Sequence, residues 1–182
     1  MHTFIVLLRG INVSGQKQIK MADLKQYLEE LKFESVQTYI QSGNLVVKSE
    51  EEADQVNSKI NEMILAKYGF DVEMVMIKPT ELLSILTKNP FKQNEDKKLY
   101  FTFLAEKPDV DNIAKLKRVD YSPELHHIAN DLVYVFAANG YGKAKLNNNF
   151  IEKKLKVAAT TRNLNTMNKL LEMSKLSTSA ID

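Results

Sequence analysis

Apolar residues recur along this chain at strand spacing, then at helical spacing, and the alternation runs through twice. Thr3 to Leu8 is a continuous apolar run rich in strand formers, closed by Arg9. Met21, Leu24, Leu28 and Leu31 then repeat at helical intervals. Ser35 to Gln41 and Asn44 to Lys48 are strand-forming runs parted by Ser42-Gly43, a hairpin signature because glycine tolerates the positive φ of a tight turn. Val56, Ile60, Met63 and Ile64 mark a second helix stopping at Gly69, and Val72 to Ile77 is a fourth strand. The order is βαββαβ.

Pro79 and Thr80 open a linking helix carrying Leu82, Leu83 and Leu86, which ends before Asn89-Pro90-Phe91. The pattern then restarts. Leu99 to Ala105 reads as a strand, and Asp109 caps a helix with Val110, Ile113 and Leu116 inward. Leu125 to Ala129 and Leu132 to Ala138 pair across Asn130-Asp131. A helix near Asn148 to Lys156 and a short strand, Val157 to Thr160, complete a second βαββαβ, and Asn163 to Met173 adds a C-terminal helix.

These patterns predict a mixed α/β (α+β) chain of two ferredoxin-like βαββαβ modules with a linking helix and an added C-terminal helix. The first module takes residues 1–78, the linking helix and loop 79–97, and the second module with its C-terminal helix 98–182. Side chains alternate across a strand, so Thr3, Ile5 and Leu7 face one way and Phe4, Val6 and Leu8 the other. Both faces of the first strand are therefore apolar, which predicts that the two repeats, or two chains, cover each other's open faces.

Between the apolar runs lie short polar clusters. Arg9 to Gln16 follows the first strand, Gln41-Ser42-Gly43-Asn44 joins two strands, and Thr160-Thr161-Arg162-Asn163 opens the last helix. The predicted topology sets the end of the first strand beside the start of the third, so Arg9 to Gln16 approaches Gln41 to Asn44. It likewise brings Asn139 to Lys145 towards Thr160 to Asn163. Packing of the two sheets with opposed first strands would merge both clusters into one cleft, a usual place for ligands.

The 182 residues allow one domain or two small ones, and 44% hydrophobic with 26% charged residues is ordinary globular composition. Only Ser174 to Asp182 reads as a disordered end. A net charge of +2 announces neither a nucleic acid nor a membrane partner. Three of the 25 basic residues are arginine, Arg9, Arg118 and Arg162, which points to placement for the bidentate guanidinium fork. Absence of cysteine excludes disulfides, thiol nucleophiles and thiolate metal sites, and a start lacking a signal-peptide pattern makes the cytoplasm the default.

The candidate ligand set is donor-rich. It comprises Arg9, Asn12, Gln41, Ser42, Asn44, Lys143, Lys145, Thr160, Thr161, Arg162 and Asn163, with Thr161 placed to cap the last helix. It suits a small anionic or phosphorylated, nucleotide-like ligand. No metal or cofactor is implied, since His126 and His127 face opposite ways on a strand and no nucleophile elbow, phosphate loop or dinucleotide glycine pattern occurs. No catalytic constellation stands out, and the oligomeric state is not encoded in any of these features. Two alternative functions are an enzyme using the inter-module cleft and single-stranded nucleic-acid binding. The second would use Tyr100, Phe101, Phe103, Tyr134 and Phe136 as stacking rings on the central strands of the second module.

At Leu7 to Val13, Thr38 to Asn44 and Thr160 to Asn163 the chain resembles a mainly bacterial group, the domain of unknown function family 1697, from Phe4 to about Leu171 and including Asn89-Pro90-Phe91. The resemblance implies a two-part α/β fold of ferredoxin-like modules and no established activity. Where the family pattern has Gly-Gly, Arg-Ser-Lys and a tryptophan, this chain has Ser14-Gly15, Lys143-Ala144-Lys145 and Leu164.

Overall fold

A computed structural model describes residues 1–176. Among them are two four-stranded antiparallel sheets and six α-helices, a mixed α/β architecture. The chain divides into two compact units, here unit 1 (Met1–Ile85, with the chain from Asn168) and unit 2 (Leu86–Met167). No helix among the described residues is long and apolar enough to cross a membrane.

Unit 1 holds β1 (His2–Leu8), α1 (Met21–Glu30), β2 (Glu34–Tyr39), β3 (Asn44–Ser49), α2 (Ala53–Tyr68) and β4 (Met74–Ile77), with the sheet ordered β2-β3-β1-β4. Helix α2 starts with a capping box between Glu52 and Gln55 and stops at Gly69, which takes the left-handed conformation (φ 78°) that glycine adopts without a Cβ clash. One sheet face packs Phe4, Val6 and Leu8 against Leu24 and Leu28 of α1 and Ile60 and Ile64 of α2. Ile5 and Leu7, on the opposite side of β1, are equally buried. Each such side chain contributes about 1.5–3 kcal/mol on leaving water.

The linking helix is α3 (Pro79–Thr87), and Glu81 accepts the Lys78 N–H at its first turn (2.8 Å). Unit 2 then repeats the plan with β5 (Leu99–Leu104), α4 (Val110–Lys117), β6 (Leu125–Ala129), β7 (Leu132–Phe136), α5 (Asn148–Leu155) and β8 (Ala159–Asn163), ordered β6-β7-β5-β8. Asp109 caps α4 by accepting the Asp111 N–H. Of the three residues expected to face inward there, Leu116 is buried and Ile113 half-buried, whereas Val110 is exposed, because it sits at the first position of the helix. Leu116, Ile151 and Leu155 cover Leu104, Val133 and Val135.

The last helix, α6, runs Leu164–Leu176. It therefore includes Ser174, which is buried with its hydroxyl donating to the Leu171 carbonyl (2.8 Å), rather than leaving it in a disordered end. The remainder of that expectation, 177–182, lies outside the described residues. Within unit 1 the Met173 carbonyl accepts from Gln37 of β2 (3.4 Å).

Candidate functional site

In unit 1 the chain leaves β1 at Leu8, whose N–H donates to the Gly43 carbonyl (2.8 Å), and then folds a small hairpin over residues 12–17. Gln16 N–H donates to the Val13 carbonyl (2.9 Å) around Ser14 (φ 50°) and Gly15 (φ 76°), the paired left-handed residues of a two-residue turn. Asn12 is left-handed too (φ 54°), a conformation its short polar side chain tolerates. That side chain ties the loop down. Its Nδ2 donates to the carbonyls of Ile19 (2.9 Å) and Gln41 (2.7 Å), and its Oδ1 accepts the Ile19 N–H (2.9 Å). The first polar loop and the β2–β3 connection are thus joined, as the topology predicts.

The connection itself is closely packed. A Cβ on Gly43 (φ 81°) would lie 2.7 Å from Leu8 Cβ and 2.8 Å from Ile11 Cδ1, so only glycine fits. Asn44, fully buried, spends its Nδ2 on the Tyr39 carbonyl and Ser42 Oγ (both 2.9 Å). Asn44 and Ser42 therefore shape the turn. Arg9, half-buried, forms an ion pair with Glu73 (3.4 Å).

Beside this loop lies a cavity of about 480 Å³. The loop contributes Asn12, Gly15, Gln18, Ile19 and Lys20 to its wall, and the turn contributes Gln41. Two further residues close it: Asp23, from the first turn of α1, and Tyr68, the last residue of α2. Arg9, Ser42 and Asn44 do not line it. Lys20 occupies the N-cap position of α1 and supplies no side-chain cap, so the first-turn N–H groups stay open to a partner at the positive end of the helix dipole. The Tyr68 phenolic oxygen is buried with no hydrogen-bond partner among the described residues. Burial, then the nearby charge of Asp23 and the neighbouring Tyr27, raise its pKa above the ordinary 10.0, so the phenol keeps its proton. A second cavity, of about 240 Å³, has two ion pairs in its wall, Lys59 with Glu51 and the Met1 amino group with Glu50 (3.1 Å).

The polar cluster of unit 2 is a closed network. Tyr141 sits in a short 3-10 turn, stacks on Tyr100 (4.3 Å between ring centres) and accepts the Asn148 N–H (2.9 Å). Thr161 Oγ1 lies 2.9 Å from Asn148 Oδ1 and 2.8 Å from Thr102 Oγ1, an arrangement in which it donates to the first and accepts from the second. The topological approach of 139–145 to 160–163 is thus realised through Tyr141, Asn148 and Thr161.

Arg162 is buried, with Nη1 donating to Thr160 Oγ1 (2.7 Å) and the Thr161 carbonyl (3.0 Å), and burial lowers its pKa from the ordinary guanidinium range to about 10. The Lys145 N–H donates to Glu124 (2.8 Å) while its ammonium lies 5.3 Å from the centre of the Tyr121 ring. Lys143 is exposed. Thr161 does not cap the last helix. It pairs with Thr102 inside β8, which continues to Asn163, and Asn163 Oδ1 accepts the Thr166 N–H (2.8 Å) in its place.

Six wall residues, Gly15, Gln18, Ile19, Lys20, Asp23 and Tyr68, are absent from the sequence-based set. Gln18 and Lys20 lay just past the polar cluster, in a stretch without strand or helix periodicity, and extending the cluster to the start of α1 would have captured them. Nothing local marks Tyr68. Of the rings considered for base stacking, Phe101 is 0% exposed, Tyr134 4% and Phe103 5%, Tyr100 is stacked on Tyr141, and Phe136 is half-buried.

Fold and site together define a mixed α/β protein of two antiparallel sheets with a mixed-charge cavity at one strand end. The chain belongs to the DUF1697 family, proteins of unknown function, whose family model matches residues 1–134. The conserved bacterial protein SP0830 from Streptococcus pneumoniae has a similar structure, with a TM-score of 0.74 at 25% identity over 95% of this chain and 98% of that one. No curated protein matches the chain.

Proposed function

We propose that this protein is a cytoplasmic binding protein for a small anionic or phosphorylated, nucleotide-like ligand, held in the unit 1 cavity. The observation that carries the reading is the cavity itself. At about 480 Å³ it is in the size range of small-molecule sites, and it is bounded by Lys20 and Asp23 at the start of α1 and by Gln18 and Gln41. Asn12 fixes its wall, and three left-handed non-glycine residues, Asn12, Ser14 and Lys17, hold the loop in a shape that costs energy to maintain. The cysteine-free composition supports the cytoplasmic placement. Each unit is read as a ferredoxin-like module, supported by the orders β2-β3-β1-β4 and β6-β7-β5-β8 with all neighbours antiparallel.

A thermal-shift screen of nucleotides and sugar phosphates tests the reading. Ligand at a hundredfold excess over Kd stabilises by about 2.7 kcal/mol, a rise of several degrees in Tm for a chain of this size. Hits that lose their shift in Lys20→Ala and Gln41→Ala, and keep it in Arg162→Ala, support the cavity. Hits unchanged in both cavity variants reject it.

A further inference from the structure

We infer that the unit 1 cavity selects a phosphorylated sugar over a bare anion, taking the sugar hydroxyls at Asp23, Gln18 and Gln41 and the phosphate at Lys20. The inference rests on the proposed anion-binding role of this cavity. Lys20 and Asp23 stand three positions apart at the start of α1 and place one positive and one negative group in the same wall. Asp23 forms no ion pair among the described residues, so its charge faces whatever enters.

A ligand made only of negative charge meets repulsion there. A carboxylate accepts hydrogen bonds and donates none, so it needs donors from the ligand, and neighbouring sugar hydroxyls supply two. Carboxamides both donate and accept, as hydroxyls do, which makes Gln18 and Gln41 fit the same face. Size agrees: about 480 Å³ leaves most of the cavity empty around a lone phosphate and accommodates a sugar beside it.

Isothermal titration calorimetry of the full chain with ribose 5-phosphate, glucose 6-phosphate, ribose and inorganic phosphate decides the matter. A sugar phosphate is expected to bind at least about tenfold tighter than ribose or phosphate. Asp23→Asn is expected to weaken the sugar phosphate about tenfold and to tighten inorganic phosphate, while Lys20→Ala weakens both. Because Asp23 and Lys20 are exposed, both variants keep the fold, which an unchanged Tm without ligand verifies. If phosphate binds as tightly as the sugar phosphates, or Asp23→Asn tightens them, the sugar assignment falls while anion binding stands. If none of the four probes binds and no nucleotide shifts Tm, the anion reading falls with it.

Discussion

In unit 1 the polar residues beyond the first strand wall a cavity, whereas in unit 2 the polar residues at the ends of β7 and β8 close on one another. The strand orders are the same, so the frame does not account for the difference. What separates them is where the hydrogen bonds go. Thr102, Thr161, Asn148 and Tyr141 spend their polar groups on each other, and Arg162 spends Nη1 on Thr160 and a carbonyl. In unit 1 the Asn12 side chain joins the loop to the Gln41 turn, and Lys20, Asp23 and Gln41 remain in the cavity wall. An arginine in a polar cluster is therefore a poor marker of a binding site when its own strand supplies the acceptors.

The contrast breaks most sharply at Gly43. Gly43→Ala forces a Cβ against Leu8 and Ile11 and a side chain into the left-handed region, which should cost about 2–4 kcal/mol in denaturant unfolding. Gly10→Ala, with nothing within 4 Å of the added atom, should cost only the conformational term of about 1 kcal/mol. Equal losses would show that close packing does not hold the turn.

Thr161→Val probes the closed cluster. It strips the partner from Asn148 Oδ1 and Thr102 Oγ1, for an expected loss of about 1–3 kcal/mol with no change in any ligand-induced Tm shift. A lost shift would instead make unit 2 part of the binding machinery.

Smaller effects sharpen the comparison. Ser14→Gly removes a side chain from a left-handed turn position (φ 50°) and should raise stability by about 0.5 kcal/mol, read as a higher denaturation midpoint. The smallest effect is a pH slope in unit 2. Burial, then Lys117 and His127, hold the half-buried His126 below its ordinary pKa of 6.5. The unfolded chain then takes up this proton first, so the stability His126 confers is complete above pH 6.5 and declines as pH falls from there towards the lowered value. His126→Gln should flatten that part of the stability profile. An unchanged slope would assign it to other groups.

Much of the fold was legible because its signals are local. A glycine after an apolar helix stops it, as Gly69 does; an aspartate before one caps it, as Asp109 does; Ser42-Gly43 between two β-rich runs turns the chain. The last helix was misjudged for an equally physical reason. Thr161 and Asn163 are both good caps, and the pairing of Thr161 in β8 with Thr102 in β5 selected the later one.

The amino-acid order alone thus settled the element types, the twofold repeat and the approach of the Arg9 loop to the Gln41 turn, since periodicity and turn chemistry act over a few residues. The cavity wall is another matter. Tyr68 joins Asp23 and Gln41 because α2 ends beside the start of α1, and Arg162 leaves the surface because β8 pairs along its full length with β5. Which donors are used up and which stay open depends on neighbours distant in the chain, and those distances exist only once the sheet has formed.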